Sequence, residues 1–481
     1  MRTPKAGPAP RLNGPELTAV RAGHEFIYRI PATGNRPMRF SAKGLPPSIQ
    51  LDPATGILRG KAPEREGEHR IALRAENSAG HDERTLKLVV GRTLALTPPM
   101  GWNHWYTHYD RITQAEMERS ARQLVDTGMA DYGYQYVSID DCWMVKPGSN
   151  DPEVGGPTRD SAGNILTNKR FPDIKGMVDR IHGLGLRAGT YTSPGPLTCT
   201  KFEGAYNHEE QDARQIAAWG FDLLKYDWCS YRRIDPAETL EARKKPYVLM
   251  GAILERQNRD ILLNLCQYGM SEVWKWGGEV GGHSWRTTGD LGLEKSARLP
   301  GFYSIAFKNM VLSDYAGPGR WNDPDYILIG TVGNAFKTGA PPQKTSLTAD
   351  EQYSYMSLWS LMASPLFYSG DMKFLDEFTL NVLCNREVIA INQDRLGKQA
   401  RVVRKTEDEL VLLKPLANGG VAVGLFNLSE QKRTVTASWA ELGLSGARKN
   451  RDPWRYRDRG TARGLVSLEL PRHGGEITVL Q

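Results

Sequence analysis

Cysteine is scarce: five in 481 residues, at 142, 199, 229, 266 and 384. An odd count leaves at least one unpaired within the chain, and no C-x-x-C or Cys/His spacing offers a zinc site. Histidine is sparse too, nine in all, so no metal and no organic cofactor is implied. No apolar run approaches the ~20 residues of a membrane span. The opening "MRTPKAGPAPRLNGPEL" has no apolar core of the kind a secretory leader carries, so a leader is absent or already removed. No nucleophilic-serine elbow is evident, and no glycine-rich phosphate loop follows the first strand-like run of the central region.

Positive charge is in excess but not concentrated. Residues 1–93 carry net +7 and residues 396–481 net +6, around a centre, 94–395, of net −6. A nucleic-acid protein gathers its positive charge at its working face. Here the basic residues are scattered among strand-like segments and read as solvated surface, with no nucleic-acid partner.

The length suits about three domains of roughly 150 residues, or a barrel with appendages. Residues 1–93 read as all-β, with short apolar runs such as "FIYRI" and "TLKLVV" between Pro/Gly turns. From 94 to 395 strand-like and helical runs alternate. "YQYVSIDD" precedes "DIKGMVDRIHGLG", where Met177, Val178, Ile181 and Leu184 fall at helical spacing. Thr113 with Glu116, and Thr348 with Glu351, read as capping boxes. Repeated βα units over ~300 residues argue for a (β/α)8 TIM barrel, with a doubly wound open sheet as the alternative. Residues 396–481 return to strands and read as a second, antiparallel β-sandwich.

In a (β/α)8 barrel the chemistry sits at the C-terminal ends of the strands. Those ends supply Trp102, then Asp140-Asp141-Cys142-Trp143, then Tyr191. They continue with Lys225, Asp227 and Cys229, with Cys266-Gln267-Tyr268, with Arg286 leading to Asp290, and with Trp321, Asn322, Asp323 and Asp325. In "LLKYDWC", residues two apart share a face, so Lys225 and Asp227 lie side by side. Carboxylates, cations and aromatics on one rim suit a sugar, whose apolar ring faces stack on aromatics and whose hydroxyls need charged partners. Glycoside hydrolysis needs two carboxyl groups. Asp227 is expected to be the nucleophile, kept ionised by Lys225. Asp290 is expected to be the acid/base, kept protonated by burial and by the neighbouring Asp227 charge.

"MGWNHW", "IDDCW", "AGTYTSPGPLTC", "LLKYDWC", "SWRTTGD" and "RWNDPDYILIG", in this order, resemble glycoside hydrolase family 27, the α-galactosidases and α-N-acetylgalactosaminidases. The N-terminal segment "GLPPSIQLDPATGILRGKAPEREGEHRIALRAENSAG" resembles immunoglobulin-like modules appended to bacterial enzymes. That implies a β-sandwich, acting as a spacer or as a sugar-binding unit. The family resemblance implies a retaining mechanism with Asp227 and Asp290 in the roles above. It also implies sugar contacts from Trp102, Asp140, Asp141, Tyr191, Lys225 and Arg286, and support for Arg286 or the nucleophile from Asp323. It implies a Cys199–Cys229 disulfide beside the nucleophile, whereas the family's bridge to the cysteine of "DDCW" finds no partner for Cys142 here. Many relatives read Cys-Glu-Trp where this chain has Cys266, Gln267 and Tyr268, in the segment facing the sugar's 2-position. The implied activity is exo-hydrolysis of terminal α-galactose from an oligosaccharide or polysaccharide side chain, in a secreted or periplasmic enzyme. The alternatives are a β-L-arabinopyranosidase, an α-N-acetylgalactosaminidase, or a galactoside-binding protein without turnover.

Overall fold

A computed structural model of the chain describes residues 1–291, 298–333 and 341–481. The central sheet has eight strands: β1 (Met100–Asn103), β2 (Tyr136–Ser138), β3 (Arg187–Thr192), β4 (Leu223–Asp227), β5 (Leu262–Cys266), β6 (Ser284–Arg286), β7 (Trp321–Asp323) and β8 (Leu366–Tyr368). Each pairs in parallel with its sequence neighbour from β1 to β7, and β8 returns to β1. Ile327, just past β7, bridges to Tyr368 of β8 and closes the ring. The closed ring, rather than an open sheet, is the TIM barrel expected from the alternation. Strands β4 and β5 are buried at every position, as a parallel sheet covered on both faces requires.

Helices α1 (Gln114–Asp126), α2 (Ile174–Gly183), α3 (Glu209–Trp219), α4 (Leu240–Glu255), α5 (Gly301–Asn309) and α6 (Ala349–Leu361) wrap the barrel. In α2 the buried residues are Ile174, Met177, Val178 and Ile181, the stripe legible in the sequence, while Leu184 caps the C-terminus. The Thr348–Glu351 capping box forms in both directions at α6. At α1 only half of the expected box exists. The Thr113 hydroxyl accepts the Glu116 N–H at 3.2 Å, but the Glu116 carboxylate turns instead to Arg119.

The N-terminal strand-rich region has a four-stranded sheet (Leu17–Val20, Gly80–Val90, Gly67–Asn77, Arg39–Lys43) and a three-stranded sheet (Glu25–Arg29, Ile57–Lys61, Ile49–Leu51). Phe26, Tyr28, Phe40, Leu58, Ile71 and Leu88 belong to a core separate from that of the barrel. The region docks on the end of the barrel where strands begin. Asp260, just before β5, accepts bonds from the Arg21 Nε at 2.6 Å and backbone N–H at 2.9 Å, and its Oδ1 lies 2.8 Å from His24 Nδ1. Arg187, the first residue of β3, donates to the Ile27 carbonyl at 3.1 Å. A cavity of about 690 Å³ at this seam is lined by Arg21, His24, Glu255 and His283, and by none of the rim carboxylates. The C-terminal region has a six-stranded antiparallel sheet and a two-stranded one. It sits against α5 and α6, where Tyr303 donates to the His473 carbonyl at 2.8 Å and the Trp454 indole N–H donates to Ser357 Oγ at 2.9 Å.

Removing the shared acceptor at the seam should loosen the N-terminal region without touching the chemistry. Asp260→Ala is expected to lose about 2 kcal/mol of stability, the worth of hydrogen bonds to a charged group, read as a lower melting temperature and faster proteolysis near residue 93. kcat should be unchanged.

Candidate active site

Strand β4 ends at the rim with Lys225 and Asp227 on one face. The register sets Lys225 opposite Tyr191 of β3 and Asn264 of β5, and Asp227 opposite Cys266. Lys225 does not pair with Asp227, however. Its ammonium donates to Asp140 Oδ2 at 2.8 Å, and that oxygen also accepts from Asn103 Nδ2 at 3.1 Å and the Tyr326 hydroxyl at 3.0 Å. The rings of Tyr191, Tyr326 and Trp105 surround the ammonium at 5.4, 5.4 and 6.0 Å. Burial opposes both charges, but each outweighs it for the other: Asp140 is held below the usual carboxylate range, and Lys225 well above the ordinary lysine value. His104 positions Asp140 from behind. Its Nδ1 accepts the Asp140 N–H at 2.9 Å, and burial keeps the imidazole neutral, lowered to about 3.

Asp227 is 5 % exposed. Burial pushes its carboxyl up to about 6, against the opposing pull of Lys225 and of a hydrogen bond from Tyr268, and the Asp290 charge adds to the rise. That bond, Tyr268 Oη to Asp227 Oδ1, is 2.6 Å long. The ionising role expected of Lys225 alone is therefore shared with a phenol.

At the end of β6, Arg286 is 2 % exposed and gathers the second carboxyl group. It meets Asp290 Oδ1 at 3.2 Å and Asp325 Oδ2 at 3.0 Å. The Asp290 side chain is 38 % exposed, so the burial expected of it is missing. Asp323 does not support Arg286 either. Its carboxylate accepts from Asn264 Nδ2 at 2.9 Å and from the Asp325 N–H at 2.9 Å. The supporting acid is Asp325, whose Oδ2 also accepts the Tyr106 hydroxyl at 2.6 Å and the Leu291 N–H at 2.8 Å.

The remaining residues divide. Trp102 is 0 % exposed and spends its indole N–H on the Gly370 carbonyl at 2.9 Å. It is core, and the half-buried ring beside Lys225 is that of Trp105. Asp141 is buried, its Oδ2 accepting the Thr200 N–H and hydroxyl at 3.0 and 2.7 Å. Tyr191 Oη lies 3.4 Å from Cys229 Sγ. Cys266 is a buried thiol 3.9 Å from Arg286 Nη1. Gln267 donates to the Met270 carbonyl at 2.7 Å, and its Oε1 is buried without a partner among the described residues. Cys199 and Cys229 are joined, while Cys142, Cys266 and Cys384 are free and buried. The disulfide removes the thiolates that could ligate a metal beside Asp227. In the other cluster with ligand spacing among the described residues, His108, Glu116 and Asp371, Arg119 already pairs with Glu116.

Trp105, Tyr106 and Tyr326 were the contributors missed from the sequence, and Asp325 was placed at the rim without its role. Trp105 and Tyr326 lie in motifs already singled out, and Tyr106 directly follows one. The assembled rim holds a buried carboxyl of raised pKa, an exposed carboxyl group on an arginine, a lysine–aspartate pair and a ring of aromatics. That set can attack an acetal carbon and exchange a proton with the departing oxygen.

Comparison with known proteins agrees. The family described as Alpha galactosidase A matches residues 97–394, and that described as Alpha galactosidase C-terminal beta sandwich domain matches 407–478. The chain is 37% identical over 392 residues to an alpha-galactosidase of Cyamopsis tetragonoloba, covering 80% of this chain and 87% of the relative. A solved structure from Bacteroides fragilis superposes with TM-score 0.89 at 33% identity and covers 98% of both chains, so it takes in the N-terminal region. A β-L-arabinopyranosidase of Geobacillus stearothermophilus superposes with TM-score 0.70 at 26% identity, over 80% of this chain and 97% of that one.

The raised Asp227 carboxyl has a stability consequence. Between the unfolded value near 4 and the folded value of about 6 the native state binds the extra proton, so stability falls as pH rises through that window. Asp227→Asn removes this loss, and the variant should be more stable than the parent by up to about 3 kcal/mol above pH 7. Below pH 4 the two should match. Melting temperatures at both pH values check it.

Proposed function

The chain belongs to the alpha galactosidase A family, glycoside hydrolase family 27, and from that premise we propose how its rim works. The protein is a glycoside hydrolase with α-galactosidase activity. In our reading it is a retaining exo-enzyme that removes terminal α-linked galactose from oligosaccharides or polysaccharide side chains. The observation that carries this reading is the placement of Asp227: buried at a strand end opposite Cys266, whose thiol lies 3.9 Å from the Arg286 guanidinium that holds Asp290.

Asp227 Oδ attacks the anomeric carbon while the bond to the leaving oxygen breaks and Asp290 gives that oxygen its proton. The product is a glycosyl ester on Asp227. Asp290 then takes a proton from the water that attacks the same carbon. The ester bond breaks, its electron pair returns to Asp227, and two inversions leave the configuration retained. The carboxyl groups of such a pair stand ~5–5.5 Å apart. Arg286 holds Asp290 at the mouth, and Asp325 fixes Arg286 from below. Asp140, oriented by Lys225, Asn103 and Tyr326, together with Asp141 would take the 4- and 6-hydroxyls, and Trp105 would stack on the ring. Both acids are present, which favours galactose over a pentopyranose lacking the exocyclic carbon. Gln267 and Cys266 would face the 2-position.

We divide the chain at 93/94 and 395/396 into an immunoglobulin-like sandwich, the catalytic barrel and a C-terminal sandwich. The separate N-terminal core and the two family matches support this. Docking at the strand-start end makes the N-terminal region a support rather than part of the sugar site. Among the described residues no helix is long and apolar enough to cross a membrane, and we place the enzyme in the periplasm or outside the cell.

Asp227→Asn should lower kcat on the order of 10⁴-fold or more while the protein stays folded. Followed by NMR, hydrolysis should release α-galactose first; β-galactose first would rule out double displacement. On a nitrophenyl panel the α-galactoside should be cleaved fastest. A preference for the β-L-arabinopyranoside or the α-N-acetylgalactosaminide would reassign the substrate.

A further inference from the structure

We propose that the Tyr268 hydroxyl is a positioning group that tunes Asp227 between its two tasks, restraining it as a nucleophile and helping it depart as a leaving group. This rests on Asp227 being the nucleophile. Among the described residues, Tyr268 makes the one hydrogen bond to the Asp227 carboxylate, at 2.6 Å. The nearby cations are engaged elsewhere: Lys225 with Asp140, and Arg286 with Asp325 and Asp290. Groups that face Asp227 are Lys225 on its own strand, Asp140 beyond β2, Tyr191 of β3, Cys266 and Tyr268 at the end of β5, Tyr247 of α4 and Asp290 beyond β6. Among these Lys225 is the one cation.

The backbone is built to deliver the phenol. Tyr268 has φ +64°, and Gly269 follows at +82°. A bulky residue in the left-handed region is an outlier that the surroundings must hold in place. On its far side the hydroxyl meets Cys199 Sγ at 3.7 Å, so the disulfide limits where it can swing.

The effect on rate follows from how a hydrogen bond depends on acceptor charge. A donor binds a carboxylate far more strongly than it binds an ester. In the first step Asp227 loses its negative charge to the new bond, so the Tyr268 bond weakens and the step is slowed. In the second step the charge returns as the C–O bond to galactose breaks, so the same bond strengthens and the step is accelerated. The phenol keeps its proton throughout and needs no co-reactant.

The test is Tyr268→Phe in the full chain, with pH profiles on nitrophenyl α-galactoside and on a galactoside with an unactivated sugar aglycone. The expected result is a rise of about one unit in the acidic limb of kcat/KM, the worth of one bond to a charged group. kcat should fall about tenfold on the nitrophenyl substrate, where the second step limits, and hold or rise on the unactivated one, where the first step limits. An unmoved limb with equal losses on both substrates would overturn the proposal. If Tyr268→Phe does not fold, site-specific 3,5-difluorotyrosine at 268, a more acidic donor, should move the limb down; a limb that stays put overturns the proposal equally. Turnover surviving in Asp227→Asn would bring down the nucleophile assignment itself, whereas a dead Asp227→Asn with an unmoved Tyr268→Phe limb removes only the role of Tyr268.

Discussion

The rim depends on one ion pair, Lys225 with Asp140, set across β2 and β4. Asp140, Asp227 and Asp325 are all buried, and a buried carboxylate costs several kcal/mol unless it is paired. Two cations serve these three acids and the exposed Asp290. Lys225 takes Asp140 and Arg286 takes Asp325 and Asp290, which leaves Asp227, among the described residues, without a directly bonded cation. Burial pushes its carboxyl up to about 6, while the bonded Lys225 holds Asp140 low against the same burial. The allocation also explains why a neutral phenol has so much influence there. A lysine bonded directly to Asp227 would quench the nucleophile, whereas a lysine pulled aside by Asp140 acts through space and leaves the carboxylate reactive.

Much of this was legible in the chain. The alternation of strand-like and helical runs gave the barrel, and the two-residue repeat put Lys225 and Asp227 on one face. What escaped has a common cause. Periodicity assigns faces only while the strand lasts. β1 ends at Asn103, and the chain enters a helical turn through His104, so Trp105 rather than Trp102 arrives beside Lys225. Asp325 has φ +98°, and this reversal after Pro324 sends its carboxylate to Arg286, while Asp323 stays tied to Asn264. Tyr268 turns back over Asp227 through another positive φ. The sign of φ at a non-glycine residue leaves no trace in composition or spacing, and the rim is where such residues collect.

The appendages follow the division of labour usual in these barrels, with stability at the strand-start end and chemistry at the other. Asp260, Arg187 and the loop before β3 fasten the N-terminal sheets to the strand-start end, and the C-terminal sheets cover α5 and α6. The N-terminal tail ties the assembly together: Arg2 pairs with Asp350 at 2.6 Å and lies 3.7 Å from Glu476 of the C-terminal sheet.

The disulfide belongs to this same account. Cys229 lies just past the nucleophile, and its bridge to Cys199 anchors the loop after β3 beside β4. Tyr191 rests on Cys229 and Tyr268 on Cys199, so one covalent link limits two phenols of opposite duty. Tyr191 shields the Lys225 ammonium, and Tyr268 bonds the Asp227 carboxylate. Both are aimed by strands that end at this rim, and neither could be kept within bonding distance by a loop free to drift. The cost of holding Tyr268 and Asp325 in left-handed backbone, and Gln267 Oε1 without a partner among the described residues, is met by the rigidity of the barrel beneath. Strain gathers at the strand ends because the charges there must point inward, toward one shared space, rather than along the strands that carry them.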